Sequence, residues 1–333
     1  MDETATIVRR FPADCQPTRL ESLGSAGGLS GARFWRIVAP RGVLVLRRWP
    51  IEHPTRERLQ FIHAVLQHAA GRGMKTLPVP IATTAGETFA RHAGHLWELT
   101  PWLPGTADYQ TSPRVEKLRA AMRALAEFHL AVADLSASTP LASSRGPAPA
   151  VTHRLARLRE LKNGDIETLT HAITDKTWPK LAPFARRFAA ELPRVVPLAL
   201  ACLAPLVDVP LPLQPCIRDI WHDHVLFDGD TVTGLVDFGA VQIDTPATDV
   251  ARLLGSLVGD DSTGWREGLT AYSTTRLLSD QESLAVFALD VAGTILAGCN
   301  WIRWIYVDGR QFPNEEQTKS RFSQFLKRIR SIP

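Results

Sequence analysis

Ile217-Arg218-Asp219-Ile220-Trp221-His222-Asp223-His224 runs into Val225-Leu226-Phe227-Asp228-Gly229-Asp230-Thr231-Val232-Thr233-Gly234-Leu235-Val236 and closes on Asp237-Phe238-Gly239. Two β-prone runs, 225–227 and 231–236, flank the Asp228-Gly229 pair, which favours a tight primed turn, so the middle of the stretch reads as a hairpin. Folding that turn brings the preceding loop back beside Asp237. The loop carries Asp219 and His224 five residues apart, and Asp237 lies 18 residues beyond Asp219. A rigid hairpin base would hold the three polar side chains around a common point. Two carboxylates in this layout suit phosphoryl transfer, one facing an acceptor hydroxyl and the other a metal-bound triphosphate. A lone Asp in such a loop more often caps a turn; the ordered set is what carries the reading.

The stretch resembles the aminoglycoside phosphotransferase and choline kinase family, in which a His-x-Asp-x-x-x-x-Asn loop precedes a strand ending in hydrophobic-Asp-Phe or hydrophobic-Asp-Trp. The resemblance implies an α+β, protein-kinase-like fold of two lobes. Residues 1–105 would form a small antiparallel-sheet nucleotide lobe with its hinge, and residues 106–333 a larger, mostly helical lobe with the catalytic loop and acceptor site. Asp219 matches the catalytic Asp and Asp237 the metal-binding Asp. Ile217 stands where the family has His, and His224 where it has Asn. As a metal ligand, His224 would bring an imidazole nitrogen, softer than the Asn carbonyl oxygen and better suited to Mn²⁺ or Zn²⁺ than to Mg²⁺. The implied cofactors are ATP and Mg²⁺, with Mn²⁺ as the alternative. Asp249 matches a family Asp that buttresses the catalytic loop; a first-turn Asp complementing a helix dipole is the equal alternative.

The front of the chain supplies the remaining parts of a nucleotide lobe. Residues 19–23, 32–38 and 43–47 read as three strands, and Gly27-Gly28-Leu29-Ser30-Gly31 fills the first connection. Gly28 and Ser30 would lie in a turn whose backbone amides cover phosphates, since glycine permits close approach. On the third strand, period-two alternation puts Val43, Val45 and Arg47 on one face and Leu44 and Leu46 on the other. Val45 would lie under the base and Arg47 at the phosphates, where Arg keeps its charge and can form a bidentate fork. A helix follows over 54–71, with Leu59, Ile62, Leu66 and Ala69 at helical spacing. The resemblance implies that Glu57 in its first turn pairs with Arg47. It also implies that residues 95–105 are the hinge strand, with backbone groups near Leu99 and Thr100 on the adenine edge.

Composition narrows the function classes. A 333-residue chain, 45% hydrophobic and 22% charged, can bury a substantial core and is not a disordered protein. The net charge is only +4, with Lys and Arg scattered, so no basic stripe points to a nucleic-acid partner. Cys15, Cys202, Cys216 and Cys299 are far apart and lack metal-ligand spacing, which suits reduced thiols and a cytoplasmic location. The acidic N-terminus has no signal-peptide pattern. The longest apolar run, 284–299, is interrupted by Asp290 and reads as a buried helix rather than a membrane span. Residues 118–129 read as the first clear helix of the larger lobe, and the Ser, Ala and Pro-rich stretch 136–150 as a surface connection. Trp301, Trp304 and Tyr306 could line an acceptor pocket, but at helical spacing a core stripe is the stronger reading.

The expected function is ATP-dependent phosphoryl transfer to the hydroxyl of a small molecule. A nucleotide-binding scaffold is the alternative, raised by Ile217 and His224. A protein kinase fits less well, because Asp249 is reached ten residues after Gly239, which leaves little room for an activation loop.

Overall fold

The computed structural model describes residues 3–25, 31–135, 145–312 and 315–332. Gly28 and Ser30 of the glycine-rich turn, and residues 136–144 of the expected connection, lie outside the described residues. The chain divides into two compact units: Met1–Leu135 with His222–Val241, and Ser136–Trp221 with Gln242–Pro333. That division differs from a boundary at residue 105, and the reason is local. Thr106 and Phe227 exchange backbone hydrogen bonds of 2.9 Å, and the segment beyond is pinned by a 2.7 Å pair between buried Lys117 and Asp108. Residues after 105 are thereby bound to the hairpin, and both belong to the first unit.

In the first unit, β1 (Arg19–Gly24), β2 (Arg33–Ala39), β3 (Gly42–Arg48), β4 (Ala90–His92) and β5 (His95–Pro101) form an antiparallel sheet in the order β1-β2-β3-β5-β4. The alternation expected for β3 is present. Leu44 and Leu46 are buried with Trp97, Leu99 and Ile37 against Ile7 and Val8 of helix α1 (Glu3–Val8), while Val43, Val45 and Arg47 occupy the other, less buried face. Each fully buried aliphatic side chain of this kind contributes about 1.5–3 kcal/mol, so a register slip that reversed β3 would remove the core it shares with α1. Helix α2 (Arg56–Gly71) starts at Thr55, whose hydroxyl accepts from the Arg58 amide at 3.2 Å, and buries Leu59, Ile62, His63, Val65, Leu66 and Ala69. Helix α3 (Val115–Ala131) completes the unit, with Phe128 against Phe238 at 5.5 Å between ring centroids.

The hairpin forms one residue away from the expected turn. Its strands β9 (Val225–Asp228) and β10 (Thr231–Leu235) pair Asp228 with Thr231, so the two turn residues are Gly229, at φ 58°, and Asp230. A bulge falls between Val232 and Gly234, and there the Thr233 hydroxyl donates to the Pro104 carbonyl at 2.6 Å. Gly105 has to be glycine: its φ is 97°, and a β-carbon there would stand 2.7 Å from the Phe227 carbonyl oxygen.

The second unit is helical. Short strands β6 (Arg145–Gly146) and β7 (Leu211–Pro212) pair, as do β8 (Gln214–Cys216) and β11 (Gln242–Asp244). Its helices are α4 (Pro149–Glu160), α5 (Ile166–Ala172), α6 (Ala182–Leu203), α7 (Ala247–Val258), α8 (Ser262–Ser273), α9 (Asp280–Ile302) and α10 (Glu315–Ser331). Within 145–150, read as part of a surface connection, 145–146 form β6 and 149–150 open α4. Helix α9 opens with a capping box between Ser279 and Glu282 and packs against α4, α6, α7 and α10. Segments 182–206 and 280–307 are long and apolar enough to cross a membrane by length and composition. In α9, however, Asp290 is ion-paired with Arg328 of α10 at 2.7 Å, a buried partner that accounts for the charge within the apolar run. Trp301 is buried against Trp304 and Phe312, and the Tyr306 hydroxyl donates to the Trp178 carbonyl at 3.4 Å. These contacts agree with the packing reading of that aromatic stretch.

Candidate active site

In the first unit the site is built around Arg47. Sheet register sets its neighbours, Phe34 on β2 and Glu98 on β5. The guanidinium carbon lies 3.3 Å from the Trp49 ring centroid and 5.1 Å from that of Phe34, so aromatic faces hold the cation in place. Its Nη1 reaches Glu98 at 3.8 Å and Asp237 at 3.7 Å, and its side chain is 13% exposed. Burial pulls the guanidinium's proton affinity down, and the two carboxylates oppose the shift. The Arg47 Nε is buried and has no hydrogen-bond partner among the described residues.

Glu98 is in turn held from α2. The buried His63 ring meets the Glu98 carboxylate at 2.6 Å through Nε2 and the Thr88 hydroxyl at 2.8 Å through Nδ1. Burial pushes the Glu98 carboxyl up, but the hydrogen bond to His63 and the charge on Arg47 outweigh it and leave the group below its ordinary value. The result is a fixed chain from helix to strand: His63, Glu98, Arg47.

This corrects the pairing expected for Glu57. Glu57 is exposed in the first turn of α2, where its own backbone amide and the Thr55 hydroxyl hold its carboxyl below the usual range. The buried stripe of α2 begins at Leu59, so helical phase turns Glu57 to solvent and gives the inward position to His63. Replacing Glu98 by Gln is expected to lower unfolding stability by about 1–3 kcal/mol and to raise the KM for ATP more than it lowers kcat. Urea unfolding and steady-state kinetics would check this; an unchanged midpoint with unchanged KM would overturn it.

The hairpin base supplies the metal-ligand candidates. The Val236 amide donates to the His224 carbonyl at 3.0 Å, which sets His224 beside the strand end that carries Asp237. The His224 Nε2 and Asp237 Oδ2 are 3.6 Å apart. Asp237 itself takes a left-handed backbone, φ 61° and ψ 67°, and Gly239 lies so close to Trp49 that a β-carbon would meet its ring at 3.2 Å. Val45 shares the Arg47 face, as expected. At the expected hinge, the Leu99 carbonyl accepts from the Ile81 amide at 2.8 Å, Thr100 is the register partner of Val45, and the Leu99 side chain is core.

Asp219 belongs to the second unit. Its loop leaves β8, whose Cys216 pairs with Gln242 of β11, and is clamped by Asp249 in the first turn of α7. The fully buried Asp249 carboxylate accepts from the Ile217 and Arg218 amides, each at 2.6 Å. That clamp holds Arg218 at φ 67°, a left-handed conformation that costs a non-glycine residue about 1–2 kcal/mol. Ile217 and Ile220 are fully buried and anchor the loop. The Asp219 side chain remains 60% exposed, with Arg252 Nη2 at 3.2 Å from its Oδ1.

Solved structures define the class to which this fold belongs. A spectinomycin phosphotransferase in complex with ADP and spectinomycin matches with a TM-score of 0.68 at 11% identity, over 95% of this chain and 93% of that one. An amicoumacin kinase in complex with AMP-PNP, Ca²⁺ and Ami matches at 0.66 and 12%, over 99% and 93%. The fold is that of the protein-kinase-like phosphotransferases. The sequence profile of the Phosphotransferase enzyme family matches residues 24–287, and the chain belongs to that family. Among relatives, a homoserine kinase of Brucella anthropi is 30% identical over 69% of this chain and 64% of its own length. That match spans less than two thirds of the relative. A homoserine kinase of Rhodopseudomonas palustris is 26% identical over 99% of this chain and 94% of its own.

Proposed function

We propose that the chain transfers the γ-phosphoryl group of ATP to a hydroxyl of a small molecule. The observation that carries this reading is the buried Arg47 beside Asp237, because its Nε lacks a partner that a phosphate oxygen would supply. Arg47 holds the phosphates, with Glu98 and His63 fixing its direction, and Val45 lies under the base. Asp237 and His224 fit a divalent cation as a carboxylate and an imidazole 3.6 Å apart. When bound, that ion would supply positive charge against the negative charge of the phosphates during transfer. A nitrogen ligand favours Mn²⁺ over Mg²⁺.

Asp219 acts as the base. It takes the proton of the acceptor hydroxyl as that oxygen bonds to the γ-phosphorus and the bond to ADP breaks. Positioning and charge stabilisation supply most of the catalysis in this class. The scaffold alternative draws no support from its two motivating residues: Ile217 is a buried anchor of the loop and His224 lies beside Asp237. We place the protein in a reducing, cytoplasmic compartment on the wide spacing of its four cysteines along the sequence.

Calorimetry of ATP binding tests the nucleotide half directly, with Mg²⁺ and then Mn²⁺, for the wild type and Asp237→Ala. Binding is expected to require metal, to be tighter with Mn²⁺, and to weaken by at least about tenfold in the variant. Metal-independent binding that the substitution leaves unchanged would sink the assignment. A transfer screen with homoserine, spectinomycin and amicoumacin follows from the names of relatives and structural neighbours.

A further inference from the structure

Three arginines of the second unit gather about the catalytic loop. Arg252, one turn beyond Asp249 on α7, is 3.2 Å from Asp219 and 36% exposed. Arg218, immediately before Asp219, turns its Nε to Asp244 at 3.4 Å and its Nη1 to the Gln242 amide oxygen, and stays partly open to solvent. Arg154 of α4 donates to the Ala150 carbonyl at 3.4 Å and lies within the field of the other two.

Two of the three neighbouring carboxylates also hold backbone amides. Both Asp249 oxygens accept loop amides, and the fully buried Asp244 accepts the Ala150 and Thr245 amides through Oδ1 while its Oδ2 faces Arg218. Burial pushes the Asp244 carboxyl up despite those bonds. Arg154 is lowered to about 10, chiefly by burial, with Asp244 opposing and Arg218 and Arg252 adding to the shift. Of the three carboxylates, Asp219 alone is largely exposed. An exposed Arg and Asp pair contributes little to stability, so holding the fold is a weak account of Arg252.

We propose, on the footing of the phosphotransferase reading above, that the acceptor is a hydroxyl compound bearing an oxyanion, and that Arg252 with Arg218 reads that group while Asp219 faces the hydroxyl. A guanidinium offers a planar fork that matches carboxylate or phosphate oxygens. An anionic acceptor also draws Arg252 from Asp219 Oδ1 and leaves that oxygen available for the proton. A cationic acceptor meets two guanidiniums beside the base and is disfavoured by like charge. Arg252 is thus a specificity residue at the acceptor, distinct from the phosphate-holding Arg47.

The test is calorimetric binding of matched pairs to the ADP-saturated protein: 4-hydroxybutyrate against 4-hydroxybutanamide, and glycerate against glyceramide. Each acid is expected to bind at least about tenfold more tightly than its amide. In Arg252→Gln the gap should close to about twofold, and Arg252→Lys should restore part of it. Should Arg252→Gln fail to fold, the wild-type comparison still decides. Equal affinities, tighter binding of the amides, or no binding by either member of each pair overturns the proposal. Phosphoryl transfer to a neutral or cationic acceptor would then leave the phosphotransferase reading standing, so the two failures are separable.

Discussion

Asn at position 219 is expected to reduce phosphoryl transfer by about 10²–10⁴-fold, the range contributed by a positioned general base, while ATP affinity stays within about twofold. The separation follows from the architecture. Arg47, Glu98, His63, Asp237 and His224 belong to the first unit, whereas Asp219 belongs to the second. Asn keeps the size of the side chain and an oxygen for Arg252, so loss of packing does not explain a fall in turnover. Single-turnover transfer and ATP calorimetry on the same preparation make the measurement. Full turnover in Asp219→Asn would remove Asp219 as the base, and a matching loss of ATP binding would reassign it to the nucleotide.

Asp249→Ala is expected to be nearly as damaging by a different route. It strips acceptors from the buried Ile217 and the Arg218 amides at once, at about 1–3 kcal/mol for each donor left unsatisfied, and it releases the restraint that keeps Arg218 left-handed. Thermal unfolding should begin several degrees lower, and transfer should fall even at temperatures where the variant is folded. Asp249→Asn retains one acceptor oxygen and should lie between. A variant with wild-type melting and wild-type turnover would mean that the clamp has no bearing on the loop.

These residues differ in how far a linear reading reaches them. The shared face of Arg47 and Val45 followed from alternation along one strand, and the approach of His224 to Asp237 from spacing around one hairpin, whereas Asp219 belongs to the other unit. Both are local patterns. Glu98 was missed as the partner of Arg47 because their pairing depends on the register between β3 and β5, which no local pattern reports. A signal was nonetheless present: a Glu between Trp97 and Leu99 on an apolar strand needs a buried partner. His63 carried a similar signal, lying on the inward stripe of α2 four residues after Leu59. Assigning the ion pair to Glu57 overlooked that phase. For Asp249 the dipole and buttress readings were equally open, and the two amide bonds establish the buttress without excluding the dipole. The hairpin turn moved by one residue because Gly229, rather than Asp228, takes the positive φ.

The route of the chain also bears on synthesis. Residues up to Leu135 leave the ribosome first, yet the hairpin that completes their unit, His222–Val241, comes roughly 100 residues later. At about 5–20 residues per second the early sheet waits on the order of 5–20 seconds for Asp237 and His224. Until then Arg47 lacks one of its two carboxylates, and the paired backbone hydrogen bonds between Thr106 and Phe227 cannot form. A nascent chain halted before residue 222 therefore carries the strands of the first unit without His224 and Asp237, the two side chains proposed to hold the metal.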